Sequence, residues 1–212
     1  YFDVTYKNKI NDKMMTIKNI EFSMLGLHNI QNALASISVA LQLNINIKII
    51  KTALKNFNGV QRRFQLIDTY KKSKIIDDYG HHPEEIKAAL SATKLLKRNS
   101  KVLAVFQPHR YSRLKNHFDE FCSCFNDADE VILLNVYPAG EKRINNFENV
   151  NLENGIRNYG HKNVSFLKKD DDIYKFIFNK IDKYEIIIFL GAGNITKIAN
   201  NLKQELKILE NC

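Results

Sequence analysis

Nine consecutive residues concentrate most of the chemistry that this chain could do. They read Asp77-Asp78-Tyr79-Gly80-His81-His82-Pro83-Glu84-Glu85, between an apolar run ending in Ile75-Ile76 and a helical pattern beginning at Ile86. An aspartate at a strand end can accept both hydroxyls of a ribose. Histidines in a turn can contact a carboxylate or carry protons near neutral pH. Three of the nine need no site. Pro83 suits the first position of a helix, and Glu84 and Glu85 favour the helix dipole. Asp77, Asp78, Tyr79, His81 and His82 exceed what a structural turn requires. The stretch therefore reads as a binding turn, rather than a surface turn of satisfied polar residues, at the carboxyl end of a strand.

A second group, Phe106-Gln107-Pro108-His109-Arg110-Tyr111-Ser112-Arg113, follows the apolar run Val102–Val105. Arg110 and Arg113 are three apart and would share a face at a helix start. Positive charge there opposes the dipole, which points to a bound anion held by the guanidiniums and the helix N-terminus. His117 reads as a half-exposed helical residue. A third group, Gly26-Leu27-His28-Asn29-Ile30-Gln31-Asn32, opens another helix. Its Asn side chains could pair with an adenine edge or serve as a cap. Gln61-Arg62-Arg63-Phe64 places two guanidiniums at an expected domain junction, where they could meet phosphate or simply form a basic surface pair. Leu190-Gly191-Ala192-Gly193-Asn194 holds part of a dinucleotide fingerprint, but Thr196 stands at the third glycine position, so a tight strand-to-helix turn is expected. Tyr137-Pro138-Ala139-Gly140-Glu141 follows a further strand and could wall the same cleft.

The elements that must position these groups follow two grammars. Up to about residue 63 there are weak alternations (Met14–Ile17, Ile20–Phe22), a small-residue helix that would be buried nearly all round, and a second helix after Asn46 with Ile49, Ile50, Leu54 and Phe57 on one face. From Phe64 onward apolar runs alternate with amphipathic helices. Strands are expected near 64–69, 74–78, 102–106, 130–135, 164–167 and 185–190, and helices near 83–97, 111–126, 149–159, 171–181 and 194–208. That alternation specifies an α/β domain: a Rossmann-like, mostly parallel sheet with helices on both faces. The expected domains are residues 1–63 and 64–212.

Composition excludes several classes. The 212 residues are 44% hydrophobic and 26% charged, which suits a globular chain rather than a disordered one. No apolar run is long enough to span a bilayer, so no membrane is expected. The net charge of +9 comes from lysines scattered along the chain. A nucleic-acid surface would show clustered basic residues with aromatic partners, so no nucleic acid is expected either. Lys71-Lys72-Ser73-Lys74 reads as a solvated hairpin tip. Three cysteines, Cys122, Cys124 and Cys212, give neither a disulfide framework nor a zinc spacing and suit a reducing cytoplasm. Cys122 and Cys124 would face different sides of a helix. The chain begins at Tyr1 in mid-pattern and reads as a piece of a longer protein.

Taken in order, Gly26–Asn32, Gly59–Phe64, Asp77–Pro83, Phe106–Arg113, Tyr137–Glu141 and Gly191–Asn194 resemble the carboxyl-terminal portion of the ATP-dependent peptidoglycan-precursor amino-acid ligases. Within that family they are similar to the members that join L-alanine to UDP-N-acetylmuramate through an acyl phosphate. The resemblance implies that residues 1–63 are the tail of an α/β ATPase central domain and residues 64–212 a Rossmann-like ligase domain. It implies that His28, Asn29 and Asn32 contact adenosine, Arg63 the ATP phosphates and Asp78 the ribose. It implies that Tyr79, His81, His109, Arg110 and Arg113 orient L-alanine and the muramoyl carboxylate. ATP and Mg2+ are the implied cofactors, and the substrates are the implied partners. A homodimer is left open. The family's ligase for recycled muropeptides shares the Asp-Asp and His-His-Pro pattern, and Phe106–Arg113 should separate the two. A nucleotide-binding module without chemistry is the other alternative. The chain contains no Gly-x-x-x-x-Gly-Lys-Ser/Thr loop, and the metal ligands are expected upstream of Tyr1, so no ligase activity is expected of these residues alone.

Overall fold

A computed structural model describes residues 1–8, 12–24, 26–57, 59–96, 100–169 and 172–210, without the side chains of His28, Leu209 and Glu210. The chain divides into two units, Tyr1–Val60 and Gln61–Cys212.

In the first unit, β1 (Phe2–Lys7) and β2 (Met14–Ile20) pair antiparallel. The two short alternations expected around Met14 and Ile20 form one strand, and Glu21 and Phe22 lie beyond it. Helices α1 (Leu27–Gln42) and α2 (Ile47–Lys55) follow. The Asn46 side chain accepts from the Lys48 amide at 2.8 Å and so caps α2. Val4, Ile17, Ile20, Ile37 and Ile50 form the core. Within this unit α1 is covered on one face only. Ala33 and Ile37 are buried, but Leu34 and Val39 are exposed, contrary to the all-round burial expected. Ile49 likewise leaves the buried face of α2 and is exposed.

The second unit begins with the hairpin β3 (Gln65–Tyr70) and β4 (Ser73–Asp78). Lys71, at φ 51°, turns it, while Ser73 is buried and donates to the carbonyls of Ile181 and Tyr184. Then come α3 (Pro83–Leu96), β5 (Val102–Phe106), α4 (Tyr111–Asn116), α5 (Phe118–Ser123) and β6 (Glu130–Leu133). They are followed by α6 (Asn149–Asn158), β7 (Val164–Phe166), α7 (Asp172–Lys180), the 3-10 turn Ile181–Lys183, β8 (Ile186–Leu190) and α8 (Ile195–Glu210). The sheet order is β3-β4-β8-β5-β6-β7, with only β3 antiparallel. This is the mostly parallel α/β sheet that the alternating runs specify.

Because successive residues of a strand face opposite ways, the all-apolar strands bury both faces. Ile76, Ala104, Phe106, Val131, Leu133 and Ile188 pack under α3, α5 and α6. Ile75, Leu103, Val105, Ile132, Ile187 and Phe189 pack under α7 and α8. The helices after β4 and β5 thus leave to one face, and the helix after β8 leaves to the other. A crevice at the carboxyl ends beside β8 follows from that divergence. The ladder continues into it. The Gly191 amide donates to the Asp78 carbonyl at 3.1 Å, Gln107 to Leu190 at 3.0 Å and Leu134 to Phe106 at 2.9 Å. Four loops, after β4, β8, β5 and β6, therefore leave the sheet side by side.

Candidate active site at the carboxyl edge of the sheet

The β4–α3 turn is held by its own acids. Asp78 is buried; its Oδ2 accepts from the Phe64 amide at 2.8 Å and its Oδ1 from the Gly80 amide at 2.7 Å. Both oxygens therefore have structural partners before any ribose is considered. Glu85 does more than start α3. Its Oε2 accepts from the amides of His81 and His82 at 3.0 and 3.3 Å, and its Oε1 faces Arg63 at 4.0 Å. His81 Nδ1 lies 2.9 Å from the Tyr79 carbonyl. A carbonyl only accepts, so Nδ1 carries a hydrogen, and in the neutral ring Nε2 keeps its lone pair. The Tyr79 ring meets the His81 ring edge-on at 5.0 Å and lies under the Arg62 guanidinium at 4.6 Å.

The β5–α4 loop faces that turn. The His109 ring stacks on Tyr137 at 5.4 Å and meets the His81 ring at 5.9 Å. Arg113 Nη1 donates to His109 Nδ1 and to the His109 carbonyl, both at 3.1 Å. His109 therefore holds its hydrogen on Nε2, the opposite tautomer to His81. Burial, then the positive Arg113 beside it, pushes His109 below the usual imidazole range, so it is neutral at neutral pH.

Arg110 and Arg113 do not share a face as the spacing suggests. Arg110 precedes α4 at φ 72°, ψ 133°, outside helical space, and its guanidinium lies 3.8 Å from Glu141 Oε1. Arg113 turns back to His109. The anion expected at the helix start is supplied by the chain itself. Glu141 accepts from Ser112 Oγ at 2.6 Å and from the Ser112 amide at 2.9 Å, which holds its carboxyl below the usual carboxylate range.

Between the two loops lies a polar floor that the motifs did not announce. Arg62 Nη2 donates to the carbonyls of Gly191 and Gly193 at 2.8 and 3.3 Å. Its Nε stands 4.0 Å from Asp77 Oδ2. Asp77 is fully buried and accepts from Thr196 Oγ1 at 3.2 Å; burial raises it above the usual carboxylate range. Gln107 donates to Asn194 at 2.7 Å. Gly193 is needed because a Cβ would stand 2.5 Å from Gln107 Oε1 and 2.7 Å from the Tyr137 ring. With two of its carbonyls on Arg62 and its face packed on Gln107 and Tyr137, the Gly191–Gly193 turn is a tight, well-packed strand-to-helix turn.

Asp78, Tyr79, His81, His109, Arg110 and Arg113 are thus gathered at one sheet edge, with Arg63 joined to the turn through Glu85. The other candidates lie in the first unit. Asn29 is buried, Asn32 is exposed, and the His28 side chain lies outside the described residues. The N-cap of α1 is Gly26 without a side-chain bond, so Asn29 is not the cap. Among the described residues no group of three or more His, Cys, Asp or Glu is placed to hold a metal ion. None of their helices is long and apolar enough to cross a membrane. Cys122 and Cys124 are core thiols, both buried in one cluster, where burial raises Cys122 to about 11.

This arrangement has relatives. Residues 62–193 match the family described as Mur ligase, glutamate ligase domain. The chain belongs to the Mur ligase family. It is 46% identical over 193 residues to the UDP-N-acetylmuramate–L-alanine ligase of Rickettsia felis, an alignment covering 90% of this chain and 40% of that protein. The solved UDP-N-acetylmuramate–alanine ligase of Thermotoga maritima superimposes with a TM-score of 0.71 at 26% identity, covering 92% of this chain and 40% of that one. A murein peptide ligase from Psychrobacter arcticus gives 0.66 at 26%, covering 94% and 40%. The chain spans about two fifths of the length of the curated relatives it matches.

Proposed function

We propose that this chain is the carboxyl-terminal portion of a cytoplasmic UDP-N-acetylmuramate–L-alanine ligase, which makes a peptidoglycan precursor from ATP, UDP-N-acetylmuramate and L-alanine. The observation that carries the reading is the meeting of His81 and His109 in opposite tautomers, with Arg110 and Arg113 beside them. One imidazole offers a lone pair and the other an N–H. That suits an amine that must lose a proton while a carbonyl oxygen gains charge. Arg110 is half-exposed and supplies positive charge where an acyl phosphate and its tetrahedral intermediate carry negative charge. Arg113 holds His109 in its tautomer, and Tyr79 walls the opposite side.

Asp78, whose oxygens first serve the turn, is proposed for the ribose. Arg63 is proposed for the ATP phosphates and His28, Asn29 and Asn32 for adenosine. The phosphates and Mg2+ find no cradle among the described residues, so no step is assigned to them here, and residues 1–63 are proposed as the end of the ATP-binding domain. The names of the curated relatives, at 40–46% identity, favour L-alanine over a muropeptide.

The test is Arg110→Ala in a longer protein containing this chain. Turnover should fall by at least about 100-fold, as for loss of a charge-stabilising donor, with an unchanged thermal midpoint. Retained turnover in a folded variant would overturn the reading, and so would phosphate release by these 212 residues alone.

A further inference from the structure

His82 and His117 stand apart from the cluster described above. His82 closes the β4–α3 turn, and His117 is where the expected helix 111–126 breaks into α4 and α5, at φ −126°, ψ 31°. Their Nε2 atoms are 3.3 Å apart, and the rings meet at 4.4 Å and 66°. On the far side of the ring, His117 Nδ1 lies 3.6 Å from Glu120 Oε1. The His117 side chain is 35% exposed, so solvent reaches the pair.

We propose that His82 and His117 form a two-histidine site for a divalent transition-metal ion of the Zn2+ or Ni2+ class. Two nitrogens each about 2.0–2.1 Å from one tetrahedral ion stand about 3.3–3.4 Å apart. The Nε2 separation matches that bite, and the rings, whose centroids are 4.4 Å apart, turn about their side-chain bonds to aim both lone pairs at one ion. Glu120, 3.6 Å from His117 Nδ1, is placed to close onto it and orient the ring, as carboxylates do for metal-bound histidines. Without an ion the two Nε2 atoms lie within hydrogen-bond distance, one ring donating and the other accepting. An ion takes both Nε2 lone pairs, and the hydrogen that stood between them moves through solvent to an Nδ1.

The charged groups at the pair are Glu120 on α5, beside His117, and Glu85 on α3, which accepts from the His82 amide at 3.3 Å. Two protein ligands leave the other coordination positions to water or to a bound carboxylate. An ion here would tie the turn bearing Tyr79 and His81 to the helix bearing Arg113, pinning both sides of the cleft.

Calorimetric titration of the 212-residue chain with ZnCl2 or NiCl2 at pH 7.5 tests this, with circular dichroism confirming that each variant is folded. One saturable equivalent is expected. Affinity should fall at least about ten-fold in His82→Gln and in His117→Gln, and about ten-fold in Glu120→Gln. No saturable binding by the folded chain would overturn the site. Unchanged affinity in the folded double variant H82Q/H117Q would do the same, by assigning the ion elsewhere.

Discussion

Asp78 shows how one side chain can look functional and be structural first. Its two oxygens each accept a backbone amide, the part-buried one of Phe64 and the buried one of Gly80. Removing the carboxylate strands both donors, and each such loss costs about 1–3 kcal/mol. Asp78→Ala should therefore destabilise this chain by about 2–4 kcal/mol in urea unfolding, with no nucleotide present. A loss under about 1 kcal/mol would mean that the carboxylate is free for a ligand. The same reasoning separates His109 from Arg113. His109, with burial and Arg113 lowering its proton affinity, remains neutral as pH falls below the usual imidazole value, while the unfolded chain takes up a proton. It thus contributes to acid destabilisation below about pH 6.5 and nothing above it.

At the scale of elements, the strands and most helices follow from pattern alone. Val102–Phe106 and Ile186–Leu190 are unbroken apolar runs of strand length, and a fully buried parallel strand has no other appearance. The turns after them were legible because titratable residues crowd into positions that need only turn formers. Three features were not legible. The break at His117 is invisible because Leu114, Phe121 and Phe125 keep helical spacing across it and all reach one core. Glu141 is 29 residues from the Ser112 that it binds, and Arg62 is 129 from Gly191, so no local pattern joins them.

The helix pair after β5 also depends on a glycine. A Cβ on Gly155 of α6 would stand 2.3 Å from Cys122 Sγ and 3.3 Å from the Phe118 ring of α5. Gly155→Ala should cost about 1–3 kcal/mol by overpacking. Adding Cys122→Ala should restore at least about 1 kcal/mol in a double-mutant cycle. Simple additivity would show that the two helices adjust without strain.

At the scale of the molecule, each unit has its own core, and the second holds the cleft edge built by β4, β5 and β8. The open sheet sets that edge, because chain paths diverge to opposite faces on either side of β8. We propose that this edge selects L-alanine for transfer to UDP-N-acetylmuramate. The direct measurement joins this chain to the preceding portion of the Rickettsia felis relative, which is 46% identical over the shared 193 residues. ATP-dependent phosphate release is then followed with UDP-N-acetylmuramate and either L-alanine or a muropeptide beginning with L-alanine. The account predicts release at least about 100-fold faster with L-alanine. Equal or faster release with the muropeptide, or release that needs neither, would contradict it.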